Sequence, residues 1–269
     1  MRKYFIFTES IKRFMKRIML LIIFTARFLS ILSQEKTKPE EAFYLLDENF
    51  KAAKLEKAKF LIHSVKENDS SWLFDTYNIY GPLVSSEHYN NGKASVLQGW
   101  AIYFNKKGNV DSSGEYLNGL QNGKWNYINA KGKLAFEKNY VNGIPAGIKD
   151  FTKPDSANNK KEVLVKQMDE IESDFPGGVN GWLYYLNKNL VYPERAQNIQ
   201  KQGQVVIQFI VDTEGHIISP EIVQSVEYSL DQEAMRMIKE SPNWTPAFQN
   251  GKKVKSYKKQ PITFRLTAN

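Results

Sequence analysis

The sequence predicts an α+β protein in two parts. The first is an N-terminal β-meander of repeated hairpins, and the second a small C-terminal domain ordered helix, helix, strand, strand, helix, strand. Three observations predict it. Glycine and tyrosine recur with a 24-residue period over residues 89–147, and a fixed period marks stacked supersecondary units. From residue 175 onward, helical and period-two hydrophobic patterns alternate. Between these regions, residues 150–161 (Asp-Phe-Thr-Lys-Pro-Asp-Ser-Ala-Asn-Asn-Lys-Lys) have the composition of a linker. The expected division is therefore 1–33 leader, 34–149 β-rich repeat domain, 150–161 linker and 162–269 C-terminal domain.

Composition narrows the function. Hydrophobic residues make up 42% of the 269 and charged residues 25%, which excludes a disordered chain and a multi-span membrane protein. The net charge of +8 suggests a nucleic-acid partner until it is located. Arg2, Lys3, Lys12, Arg13, Lys16, Arg17 and Arg27 oppose only Glu9 within residues 1–33, and the rest of the chain carries about +2. The charge belongs to the leader, so nucleic acid is not the expected partner. Cysteine is absent, which removes disulfides, thiol catalysis and thiolate metal sites.

The leader holds the apolar run Ile18 to Phe24, diluted by Thr25, Arg27 and Ser30 and ending at Leu32. A spanning helix wants about 20 apolar residues with few charges. A basic flank, a short apolar run and a small residue before Gln34 describe a secretory signal with cleavage after Ser33, and an uncleaved anchor is the competing reading. Either places the protein in the periplasm or cell envelope.

Ala58–Lys66 and Trp72–Tyr77 flank the turn composition Glu67-Asn-Asp-Ser-Ser71, which reads as a hairpin; helix competes over residues 40–66. In the repeats, Gly99, Tyr103 and Gly108 recur at Gly123, Tyr127 and Gly132. Likewise Tyr116, Gly119 and Gly123 recur at Tyr140, Gly143 and Gly147. Glycines supply positive φ at turns and aromatics a buried face, so each unit is expected to be one hairpin. Past the linker, Phe175-Pro-Gly-Gly178 is a turn. Val179–Leu190 carries Trp182, Leu183, Leu186 and Leu190 on one helical face. Pro193 suits the start of a second helix, Glu194 to Gln200. Gln204–Asp212 alternates through Val205, Ile207, Phe209 and Val211, and Thr213-Glu-Gly215 turns it into a return strand, His216–Ser225. Ser229 or Asp231 is expected to cap a helix reaching Glu240, with Leu230, Ala234, Met237 and Ile238 inward. A final strand is expected over Lys252–Leu266.

Two resemblances follow. Tyr116-Leu-Asn-Gly119-Leu-Gln-Asn-Gly123-Lys-Trp125-Asn-Tyr127 resembles the MORN repeat, in the variant of bacterial antitoxin-like proteins. That resemblance implies a scaffold or contact surface. Residues 162–266 resemble the C-terminal domain of TonB-type energy transducers. The matching residues are Phe175-Pro-Gly-Gly178, Tyr192-Pro193, Ala196, Gly203, Val205, Phe209-x-Val211-Asp212, Gly215, Leu230-Asp231-x-x-Ala234, Pro242-x-Trp244-x-Pro246-Ala247, Gly251-Lys252 and Pro261-Ile262-x-Phe264. This resemblance implies that the last strand offers its edge to a TonB box, a short periplasmic segment of TonB-dependent outer-membrane receptors. It also implies coupling to a proton-driven inner-membrane motor complex.

The implied partner-binding edge is Val254, Lys255, Ser256, Tyr257, Lys258, Lys259 and Gln260. Lys252, Lys253, Lys255, Lys258 and Lys259 crowd it. Such lysines guard an exposed edge from aggregation and also attract an acidic partner segment. The ten prolines are scattered, and the MORN-like region stands where the family has a proline-rich spacer. The alternative function is thus a periplasmic scaffold whose repeats are the main binding surface, with the C-terminal domain docked on peptidoglycan. No catalytic set, metal site or cofactor is expected. His63, His88 and His216 lack metal spacing, Asp212-Thr-Glu214-Gly215 reads as a turn, and Trp244 reads as core.

Overall fold

The computed structural model describes residues 40–152 and 170–266. The expected leader over 1–33, with its choice between cleavage and anchoring, lies outside the described residues, as does 153–161 of the expected linker. Among the described residues, no helix is long and apolar enough to cross a membrane. The protein is α+β and forms two compact units, taken here in turn.

The first unit is one antiparallel sheet whose strands pair strictly in chain order. They are β1 (Glu41–Leu46), β2 (Phe60–Asn68), β3 (Ser71–Asn78), β4 (Leu83–Tyr89), β5 (Leu97–Phe104), β6 (Val110–Leu117), β7 (Leu120–Ile128), β8 (Leu134–Val141) and β9 (Ile144–Asp150). Residues 40–66 thus hold β1, a connecting loop with one 3-10 turn at Leu55–Lys57, and most of β2, and not an α-helix. Each 24-residue unit is one hairpin, β5–β6 and then β7–β8. The turn Asn118-Gly119 has φ of 51° and 80°, and Asn142-Gly143 repeats it at 48° and 78°. Positive φ at both central residues is the type I′ geometry that matches strand twist, and it explains the Asn-Gly recurrence.

The meander's core is aromatic. Trp125 is buried, with Tyr116 edge-on at 5.1 Å and Tyr140 edge-on at 6.4 Å. Its indole lies over Gly114, where an added Cβ would stand 2.4 Å from the ring. That close approach is why glycine sits in the middle of β6. Trp125 Nε1 donates to the Glu115 carbonyl at 3.1 Å. A second cluster joins Phe74, Tyr89 and Ala94, with Trp72 and Leu97 packed against it.

The second unit runs β10 (Glu170–Ile171), α1 (Gly178–Asn189), α2 (Glu194–Asn198), β11 (Gly203–Val211), β12 (Ile217–Gln224), α3 (Tyr228–Lys239), β13 (Ala247–Gln249), β14 (Lys252–Val254) and β15 (Ser256–Phe264). Two antiparallel sheets result, β12-β11-β15 and the short β10-β13-β14. Val205, Ile207, Phe209 and Val211 of β11 are fully buried against Leu230, Ala234, Met237 and Ile238 of α3, with Ile262 and Phe264 of β15. Trp244 closes this core, with Phe209 edge-on at 5.0 Å and Phe175 edge-on at 5.5 Å.

Three expectations are corrected. The run Lys252–Leu266 is not one strand: it changes sheet at Lys255, with Val254 paired to Ala247 and Ser256 to Val211. Leu183 is 51% exposed. Phe175 draws Trp182 and Tyr185 inward at 5.3 and 5.4 Å, which rolls α1 away from the expected face. The cap of α3 is Glu227, whose carboxylate accepts the Ser229 N–H at 2.8 Å and the Ser229 hydroxyl at 2.6 Å. Its longer side chain reaches back into the first turn while also pairing with Arg195. Asp231 instead accepts the Val226 N–H at 3.0 Å and the Ser225 hydroxyl.

Candidate functional site

The expected edge residues divide between two strands. Val254 ends β14, Lys255 joins the strands, and Ser256, Tyr257, Lys258, Lys259 and Gln260 open β15. β15 is the last strand of its sheet. Its inner side pairs with β11 from Ser256↔Val211 to Phe264↔Gly203, and among the described residues no strand pairs with its outer side. An edge strand left this way presents a row of unpaired N–H and C=O groups.

Alternation sorts the side chains. Ser256, Lys258 and Gln260 are half-buried on the face that also carries buried Ile262 and Phe264. Tyr257, Lys259, Pro261 and Thr263 face solvent, and Tyr257 is 78% exposed. The segment after β10 anchors the inner row. Ser256 Oγ donates to Ser173 Oγ at 2.7 Å, and Lys258 Nζ donates to the Ser173 carbonyl at 2.7 Å, with Glu172 3.9 Å away. Sequence reasoning missed Ser173 and Glu172, because contacts spanning more than eighty residues leave no local pattern. Of the five lysines, Lys258 is thereby engaged, while Lys252, Lys253, Lys255 and Lys259 are exposed. The edge is cationic and carries one large, solvent-facing aromatic.

The other candidates resolve into structural roles. Asp212, Glu214 and His216 cluster at the β11–β12 turn. Asp212 Oδ1 accepts the N–H groups of Glu214 at 2.9 Å and His216 at 2.7 Å, which closes the turn. Desolvation works against the Asp212 charge, but the His216 and Glu214 donors outweigh it and hold the carboxyl below its usual range. Gly215 has φ of 89°, and an added Cβ would meet the Trp244 carbonyl oxygen at 2.1 Å, so the turn is locked to the core. Trp244 is 2% exposed and its Nε1 donates to Ser241 Oγ, which is core behaviour. His63 is buried, contacts Glu41 at 3.1 Å and stacks on Phe43; His88 Nδ1 lies 2.7 Å from the Trp100 carbonyl.

Glu87 is the most deeply buried carboxylate of the meander. Tyr103 OH donates to its Oε1 at 2.7 Å, and Tyr89 OH and Ser85 Oγ reach Oε2 at 3.3 Å. Tyr116 OH adjoins Tyr103 OH at 3.2 Å. Burial pushes the Glu87 carboxyl up, against these hydroxyl donors. Burial, and then the Glu87 charge, push up the Tyr103 and Tyr89 phenols.

Comparison with known proteins bears on the second unit. No curated protein matches the chain. Among solved structures, the NMR solution structure of the Helicobacter pylori TonB-CTD is 22% identical, covering 35% of this chain and 89% of that chain, with a TM-score of 0.26. Residues 188–266, which run from the end of α1 through β15, match the family described as Gram-negative bacterial TonB protein C-terminal.

Proposed function

We propose that the second unit binds TonB-dependent outer-membrane receptors by strand addition, the receptor's TonB box lying along the outer side of β15, in support of energy-dependent transport. The observation that carries this reading is an unpaired strand edge inside the stretch similar to the TonB C-terminal family. Backbone hydrogen bonds give affinity with little side-chain demand, so one domain serves several receptors. Exposed Lys255 and Lys259 favour an acidic segment, and Tyr257 offers a ring to an apolar one. In this reading the leader places the protein in the cell envelope, a proton-driven inner-membrane motor supplies the energy, and the MORN-like meander is an accessory contact surface.

Calorimetry of the full chain with a peptide bearing a receptor's TonB box tests this. Binding is expected, and Tyr257→Pro is expected to weaken it at least tenfold. Undiminished affinity in that variant removes the edge model. Deleting residues 89–147 is expected to leave peptide binding intact, since the meander does not form the edge.

A further inference from the structure

The edge of β15 contains one residue that cannot donate. Pro261 pairs with Val206 in the register of β11 and β15. Proline has no N–H, and within sheets it is confined to positions whose nitrogen faces away from the neighbouring strand. Along a strand, side chains and backbone groups alternate together with period two. If Pro261 turns its nitrogen to the open side, Tyr257, Lys259 and Thr263 turn theirs the same way. Their side chains share the solvent face with Pro261, as the same alternation requires. The Pro261 carbonyl, meanwhile, accepts from its neighbour's Gln260 Nε2 at 3.4 Å. This position therefore offers an added ladder no donor.

The other end of the edge is also bounded. At Lys255 the chain leaves the β13–β14 sheet, so β15 starts at Ser256. The usable edge is Ser256–Gln260, about 17 Å of strand. Only Tyr257 and Lys259 point a complete donor and acceptor pair outward within it.

We infer that Pro261 is the register stop of this edge: an added strand pairs with Tyr257 and Lys259 and ends there, so the site selects a segment of about five extended residues. This rests on the strand-addition reading above. Pro261 acts on specificity by closing the ladder, and Thr263 beyond it takes no part.

The test uses the full chain and two TonB-box peptides, one longer by three residues at the end that would run past Pro261. Wild type is expected to bind both within twofold. Pro261→Val, which restores the N–H, is expected to bind the longer peptide at least fivefold more tightly than the shorter one. Amide exchange adds a readout that needs no substitution: the Tyr257 and Lys259 N–H groups become protected on peptide binding, and the Thr263 N–H does not. A wild-type preference for the longer peptide, or protection at Thr263, overturns the register stop while leaving strand addition standing. An absence of wild-type binding to either peptide overturns both.

Discussion

The two units solve the burial problem in different ways. The meander is a single sheet, and its only helical element among the described residues is a 3-10 turn. It fills its interior with amphipathic rings. Trp125, Tyr103, Tyr116, Tyr127 and Tyr140 pack together while the tyrosine hydroxyls bond to one another or to Glu87. The second unit lays helices on a three-stranded sheet, so aliphatic side chains from both layers meet, and two of its buried carboxylates, Glu227 and Asp231, serve the start of α3, while a third, Glu233, accepts the Val191 N–H. The one-layer sheet therefore buries tyrosine hydroxyls and a carboxylate in its core and bonds them to one another. The two-layer unit fills its sheet–helix core with apolar side chains and sets two of its buried carboxylates at a helix start.

The largest effects should come from removing each core's central ring. Trp244→Ala and Trp125→Ala are each expected to destabilise by about 3–5 kcal/mol. Hydrogen exchange read by mass spectrometry should show the loss of protection in β11 and α3 for the first and in β5–β8 for the second. Loss in both units from either variant would break the comparison. Glycine sites come next. Gly114→Ala forces the Trp125 ring to move and is expected to cost about 1–3 kcal/mol. Gly215→Ala should cost more in urea unfolding, because its obstacle is the Trp244 backbone and its φ is positive.

The units should also respond oppositely to pH. Desolvation raises the Glu87 carboxyl, and it raises that of Asp75 against the Ser86 hydrogen bond and His63. A raised folded value gives a contribution that is full below the unfolded carboxyl range, about 4, and is lost as pH climbs through the folded value. Asp212 is lowered, so its contribution is present above the unfolded range and lost as pH falls through the folded value. Mild acidification should therefore strengthen β4–β6 relative to the β11–β12 hairpin. Glu87→Gln should flatten the meander's response, and an unchanged response would clear Glu87 of the role. The smallest effect is expected from Tyr140→Phe, which removes the 3.2 Å contact with the Tyr127 hydroxyl, at about 1 kcal/mol in thermal unfolding.

Much of this architecture was legible in the chain. The 24-residue spacing of Tyr116-x-x-Gly119 and Tyr140-x-x-Gly143 announces identical turns, because only a few residue types accept two consecutive positive φ angles. The alternation of β11 announces its buried face. The sheet β10-β13-β14 was not legible, since strands of two or three residues carry no period. Nor was the roll of α1, which depends on Phe175 and Trp244 meeting Trp182 from separate parts of the chain. At the edge, a strand over Ser256–Gln260 and the lysines that crowd it were readable. The change of sheet at Lys255 was not, because Lys252–Gln260 looks uniform in composition and only the pairing of Val254 with Ala247 breaks it.

The geometry of β15 also has a mechanical side. It lies antiparallel to β11 from Ser256 to Phe264. Tension applied along the strand axis would shear all of those pairs together, whereas tension applied across it would open them one after another, each bond worth about 1 kcal/mol. A segment laid beside β15 inherits the same anisotropy. Under the proposed strand addition, such a grip would withstand hauling in line with the sheet and let go when the direction of traction turns.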